Sequence, residues 1–253
     1  RGKEINAFER EYPMTNYQSE NDPAYTGIDN LEIMKDAKNY NSFIEKLIVA
    51  AAPSKSSFNA FDFGAGTGQF SEIWPKPGSP NVEFTAIELD ENFKRLLEKK
   101  NVRVVDLNKI EIASADFIYS INVLEHIESD IECLIKLHSK LKVGGKLFIY
   151  VPAFKCLWTE MDEFVGHVRR YRKGDLRKKL SMAQFHIENI QYHDCAGFLA
   201  TLVLRYLTVG TVQLSRNKII LFDRLIFPVS RVFDALIFRY LFGKNISVVA
   251  VKR

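Results

Sequence analysis

Residues 61–70 read FDFGAGTGQF, and this stretch decides the fold. A short apolar run carrying Asp62 leads directly into GxGxG at Gly64, Gly66 and Gly68. Alternate glycines let a chain turn tightly after a strand and bring its backbone against a ligand, and a helix is expected next, with its free N–H groups on the same crevice. A third glycine at GxGxxG spacing, which clears a pyrophosphate, is lacking, and no Gly-Lys-Ser/Thr follows, so dinucleotide and P-loop readings are both weakened.

Working outward, VEFTAI at 82–87 reads as a second buried strand ending at Glu88. That acid lies twenty residues beyond Gly68, where a carboxylate can receive ribose hydroxyls. A third run, 102–105, ends at Asp106, and a fourth, 117–121, ends at Asn122. Open parallel sheets bind ligands in the crevice beyond the strands' C-terminal ends, and each of these residues falls there.

With DFGAGTG, AIELD, VVDL and SINVLEHI in this order, the chain resembles class I S-adenosylmethionine-dependent methyltransferases, and LKVGGKLFIYVP at 141–152 resembles that family's turn into the fifth strand. The resemblance implies an α/β fold: a doubly wound, seven-stranded, mostly parallel Rossmann-like sheet with an antiparallel last strand and a helical substrate cap. It implies S-adenosylmethionine as cofactor, with NAD the nearest rival. Gly64, Ala65, Gly66 and Gly68 would lie along the methionine part, near Asp62. Glu88 and Leu89 would take the ribose, Asp106 and Leu107 the adenine, and Asn122 and Val123 would pass beneath the sulfonium.

A second cluster, GHVRRYRKGDL at 166–176, resembles a bacterial group with GHxRRY preceded by an acid, here Asp162, associated with polysaccharide or lipid-linked sugar biosynthesis. On that resemblance Asp162, His167, Arg169, Arg170 and Tyr171 would form a substrate cap, since paired guanidinium groups hold a phosphate or carboxylate by parallel hydrogen bonds. An oxygen acceptor needs a base within reach of its proton. His126, next to Glu125 after the fourth strand, is the first candidate and His167 the second.

The implied domain plan is an N-terminal arm or lid at 1–30, a core at 31–194 with a cap loop at 153–176, a helical insertion at 195–243, and a last strand at 244–253. A helix is expected over 31–52, and two more over 195–215 and 219–243, roofing the acceptor site. The last strand is expected beside residues 186–193.

Composition supports a globular enzyme: 253 residues, 47% of them hydrophobic, can fill one large core. The net charge of +4 and the lack of an RNA-binding motif weigh against nucleic acid, leaving RNA or protein methylation as alternatives, with a non-catalytic regulator beside them. Cys133, Cys156 and Cys195 lack CxxC spacing, so neither disulfides nor a metal centre is expected, and a reducing, cytoplasmic setting follows. The first residues are too polar for a secretory signal. The expected acceptor is a small molecule or lipid-linked saccharide, with peripheral contact at the inner membrane face through 195–243.

Overall fold

The computed structural model describes residues 32–74, 81–207 and 215–253. The expected arm at 1–30 lies outside them. Seven strands form one sheet: β1 Ser57–Phe63, β2 Asn81–Ile87, β3 Val104–Val105, β4 Ala115–Ile121, β5 Leu141–Pro152, β6 Phe185–His193 and β7 Asn245–Lys252, in the order β3-β2-β1-β4-β5-β7-β6. The pairs from β3 to β5 are parallel, whereas β7 runs antiparallel to both β5 and β6. The mostly parallel sheet with its antiparallel β7 beside β6 is therefore as read from sequence.

The order reverses between β1 and β4, which opens a crevice at their C-terminal ends. Strand β4 is buried on both faces, as a central parallel strand must be. Ile118 joins the layer under α3 (Asp130–Lys140) and α5 (Lys173–Met182), while Phe117 and Tyr119 pack with Ile44 and Ile48 of α1 (Lys38–Ala51). Helix α2, Glu91–Lys99, is capped by Asp90, whose carboxylate accepts from Asn92 N and Phe93 N.

Three elements differ from expectation. The helix expected over 31–52 is broken: residues 32–34 are helical, 35–37 are not, and α1 runs from Lys38, with the Asn41 side chain donating to the Met34 carbonyl at 2.9 Å across the break. After the glycines, residues 66–72 form consecutive turns in place of a regular helix, with Gly68 N donating to Ala65 O and Ser71 N to Gly68 O. Strand β3 spans two residues where four were expected.

The cap region is anchored to the sheet by a bridge between Ala153 and Tyr171 and contains the short helix α4, Glu160–Phe164. Helix α6, Cys195–Leu207, and a long helical segment, α7, lie between β6 and β7. Segment α7 runs as α-helix over Arg216–Leu221, Phe227–Phe233 and Arg239–Leu241, interrupted by π-helical Phe222–Ile226 and Asp234–Phe238. Each π segment turns an acid inward. Asp223 accepts from Asn39 N and Tyr40 N at the start of α1, and Asp234 accepts from Asp194 N and Cys195 N at the start of α6. Both helices thus have their first N–H groups satisfied from α7.

Candidate functional site

A cavity of about 670 Å³ opens at the C-terminal ends of β1, β2 and β4, with α6 and α7 along its far side. Its size is that of a small-molecule site.

At the end of β1, Gly64, Gly66 and Gly68 all have positive φ. A Cβ on Gly64 would lie 2.4 Å from Val123 Cγ2, and one on Gly68 2.6 Å from Leu97 Cδ2, whereas one on Gly66 would meet nothing within 4 Å among the described residues. The outer two glycines permit close packing, and Gly66 leaves room at the cavity wall. Glu88 at the end of β2 accepts Gly66 N at 2.7 Å, Leu89 N at 2.7 Å and Asp90 N at 2.9 Å. A carboxylate has about four acceptor positions, so roughly one remains for a ligand hydroxyl while Gly66 is engaged. Asp62 is buried below the glycines; burial, and then the Glu88 charge, push its carboxyl well above the usual range.

After β4 the chain takes a left-handed conformation at Asn122 (φ 54°), with Asn122 N held by the Tyr150 carbonyl at 2.8 Å. A non-glycine residue in this region is strained and marks a place where the surrounding fold imposes its geometry. Asn122, Val123, Glu125 and His126 then line the cavity in succession.

Glu125 is fully buried, neither carboxylate oxygen has a hydrogen-bond partner among the described residues, and burial pushes its carboxyl up to about 8. His126 is brought down to about 4 by burial and by the nearby His167, against a hydrogen bond to the Gly166 carbonyl at 3.2 Å. It is therefore a neutral imidazole at pH 7 and a weak base. His167 reaches the same place from the cap: its ring centroid lies 4.7 Å from that of His126, and its Nε2 is 3.7 Å from Glu125 Oε1. Both base candidates thus lie together beside Glu125.

The substrate-cap residues divide. Asp162 is buried and gathers His167 Nδ1 at 2.7 Å, Arg170 Nε at 2.7 Å and Arg170 Nη2 at 3.0 Å. Burial would raise its carboxyl, but these hydrogen bonds from His167 and Arg170 outweigh burial and hold it well below the carboxylate range. Arg170 lines the cavity with its guanidinium already held by Asp162. Arg169 turns to Asp130 at 2.6 Å and to the Glu128 carbonyl, and Tyr171 is buried, its hydroxyl donating to Asp130 at 2.8 Å with Leu124 O 3.1 Å away. The two consecutive arginines are therefore not a pair aimed at a ligand, and Tyr171 supports the core. Alternation along an extended chain sends neighbouring side chains to opposite sides.

On the cofactor side, Asp62, Gly64, Ala65, Gly66, Glu88, Asn122 and Val123 all line the cavity. Gly68, Leu89, Asp106 and Leu107 are not among the lining residues: Asp106 is engaged by Lys94 at 3.0 Å and Lys109 at 3.3 Å, and Leu107 is buried in the core. Sequence reasoning missed Asp90 and Phe93 at this end and Lys244 at the other, all cavity residues. Lys244, one residue before β7, has its ammonium pKa lowered by burial. Asp90 carried a legible signal as an N-cap; Lys244 carried none, since it reaches the cavity only through the antiparallel closure of β7.

Comparison with known proteins agrees with this geometry. A family model described as a methyltransferase domain matches residues 61–147. No curated protein matches the sequence. Solved structures similar to this one include an S-adenosylmethionine-dependent methyltransferase from Thermotoga maritima (14% identity, TM-score 0.59, 89% of this chain and 95% of that one). Another comes from Archaeoglobus fulgidus (17%, 0.58, 89% and 100%). A third is phosphoethanolamine N-methyltransferase 2 of Haemonchus contortus, solved with S-adenosyl-L-methionine (17%, 0.54, 85% and 52%). These likenesses carry the fold. The matched domain spans β1 to β5 and every cavity residue from Asp62 to His126. Residues 61–147 of the chain accordingly carry a methyltransferase domain, set in a fold shared with solved S-adenosylmethionine-dependent methyltransferases.

Proposed function

We propose that the protein is an S-adenosylmethionine-dependent methyltransferase that methylates an oxygen of a small anionic acceptor, of the sugar or lipid-linked saccharide type, in the cavity between the glycine turn and the cap. One observation carries this reading: Glu125, His126, His167, Arg170 and Lys244 line the same cavity as Gly66 and Glu88. Proton-handling groups and cations thus stand on one wall, with a backbone cradle on the other.

The cradle suits the cofactor, because Gly66 offers open space and Glu88 a carboxylate at the ribose position. Asp62, Gly64, Ala65, Gly66 and Glu88 would hold it, with Asn122 and Val123 beneath its reactive end. When bound, S-adenosylmethionine supplies an electrophilic methyl carbon. The chain's own part is alignment and proton handling, as in-line displacement demands. Lys244 would orient the acceptor's anionic group, and the Glu125–His126–His167 cluster would stand at its hydroxyl.

Polymeric acceptors are disfavoured by the fate of the basic run, since Arg169 and Arg170 are both engaged by internal acids. A lipid-linked acceptor is favoured by α7, where Leu225, Val229, Val232, Leu236 and Tyr240 are all more than half exposed and Arg224 and Arg231 stand exposed among them. Such a face suits the surface of an anionic bilayer. Among the described residues no helix is long and apolar enough to cross a membrane.

The test is calorimetry with S-adenosylmethionine followed by transfer of labelled methyl to phosphorylated and lipid-linked sugars, with Glu88→Ala as control. Micromolar cofactor binding lost in Glu88→Ala, together with label in a sugar acceptor, is the expected result. Label incorporated only into RNA or protein would replace the acceptor assignment, and cofactor binding with no transfer to any acceptor class would favour a regulator. Co-sedimentation with anionic but not zwitterionic vesicles, reduced by Leu225→Asp, is expected of the bilayer contact.

A further inference from the structure

We propose that Glu125, His126 and His167 bind one divalent metal ion of the zinc and cobalt class. The inference deepens the proposed oxygen methylation by naming what would activate the acceptor hydroxyl, although ion binding itself does not depend on that reading.

Four observations converge. One ligand atom from each of the three residues lies within 4.8 Å of those of the others. His167 Nε2 stands 3.7 Å from Glu125 Oε1, beyond a hydrogen bond but near the ~3.4 Å that separates two ligand atoms bonded at about 2.1 Å to one tetrahedral ion. Glu125 is completely buried on the cavity wall with both oxygens lacking a hydrogen-bond partner among the described residues. A buried, unpartnered carboxylate is costly, and a cation in front of it offsets that cost.

The fourth observation concerns the imidazoles. His126 Nδ1 sits 3.2 Å from the Gly166 carbonyl oxygen, which can only accept, so Nδ1 carries the proton there. His167 Nδ1 sits 2.7 Å from Asp162 Oδ1, an ionised carboxylate held by Arg170, so Nδ1 again donates. Each ring is thereby fixed in the tautomer that leaves Nε2 as the lone-pair nitrogen. Metal-binding histidines are oriented in this way, with the far N–H given to a carbonyl or a carboxylate. The backbone holds the two segments together, since Val168 N donates to Glu125 O at 2.9 Å and His167 N to Asp162 O at 2.8 Å.

Two imidazole nitrogens and one carboxylate oxygen select borderline divalent ions over magnesium or calcium, which prefer all-oxygen shells. Three protein ligands leave a coordination position open. The acceptor hydroxyl would occupy it: the ion polarises the O–H, the proton leaves to solvent, and the oxygen is held for methylation. His126 and His167 would then act as ligands, and the weak basicity of a buried imidazole would no longer limit the reaction.

Sequence alone gave no reason to expect a metal, because His126 and His167 are brought together only by the cap. The test uses the full chain stripped with EDTA and titrated with Co²⁺, followed by visible absorption and calorimetry, with S-adenosylmethionine titrated in parallel. The expected result is one saturable equivalent of Co²⁺ with d–d absorption, displaced by Zn²⁺. Glu125→Gln removes the charge at constant shape, and His126→Asn and His167→Asn keep a donor near Nδ1 while removing Nε2. Each is expected to lower Co²⁺ affinity by about 100-fold or more, beyond the ~10–100-fold typical of outer-shell changes, while cofactor affinity holds. A chain that binds S-adenosylmethionine but no Co²⁺ or Zn²⁺, or folded variants that bind Co²⁺ as the parent does, would overturn the metal site and leave the methyltransferase reading intact. Co²⁺ binding through the three residues without cofactor binding would do the reverse.

Discussion

His167 Nδ1 and Asp162 Oδ1 lie 2.7 Å apart, and the same Asp162 carboxylate takes both Nε and Nη2 of Arg170. Asp162 is 1% exposed, so the cap is organised around one buried charge. Removing it strands the Arg170 guanidinium and frees the His167 ring. Asp162→Ala is expected to destabilise the protein by about 3–5 kcal/mol in urea unfolding, the range for breaking a buried ion pair. A loss below about 1 kcal/mol would show that the cap does not depend on this charge.

Asp223 reaches across the chain to cap α1 through Asn39 N and Tyr40 N. Asp223→Ala is expected to cost about 1–2 kcal/mol, as for loss of an N-cap, and to lower the melting temperature by roughly 2–8 °C. Asp223→Asn should recover part of this, because its amide oxygen still accepts. If Asp223→Ala melts with the parent, α7 is not tied to α1 in solution.

Gly64 and Gly66 separate fold from ligand. Gly64→Ala places a methyl 2.4 Å from Val123 Cγ2 at φ 76° and is expected to lower stability by more than about 2 kcal/mol. Gly66→Ala meets no atom within 4 Å among the described residues, so its stability cost should be limited to about 1–2 kcal/mol of left-handed strain while its calorimetric affinity for S-adenosylmethionine falls disproportionately. Equal stability losses in the two variants would contradict this division.

His193 is buried, hydrogen-bonded to Ser247 at 2.7 Å, and held down to about 3 by burial and by the Lys173, Arg231 and Arg239 charges. The unfolded chain takes up a proton near pH 6.5 that the folded one refuses, so the unfolded state binds more protons in this window. Stability should therefore fall as pH drops from about 6.5 towards about 3, with a slope of up to one proton from this residue. Chemical denaturation of the parent and His193→Gln across pH 4.5–7.5 measures it; an unchanged slope in the variant would assign the acid sensitivity elsewhere.

The core was legible because its signals are local. FDFGAG ends a strand on a turn that only glycine fits closely, VEFTAI repeats the strand pattern up to Glu88, and the sheet closes with β7 beside β6 as read. The regular helix after the glycines was misread: with no side chain at three of five positions, nothing local favours helix over turns, and residues 66–72 form turns before Ile73 and Trp74 enter the core. The break at 35–37 before α1 was not legible either, since Asn41 captures the Met34 carbonyl only in the folded geometry.

By itself the sequence determined the sheet, the ends of its strands and the glycine turn that Glu88 faces, because hydrophobic period and glycine spacing act over a few residues. Tertiary structure alone decided the acceptor side: that Arg169 and Tyr171 turn to Asp130, that Arg170 and His167 share Asp162, and that Lys244 and the Glu125–His126–His167 cluster meet in one cavity. Those relationships join residues up to 120 positions apart, and the partner of a charge at such range is chosen by burial and chain closure, which no local pattern encodes.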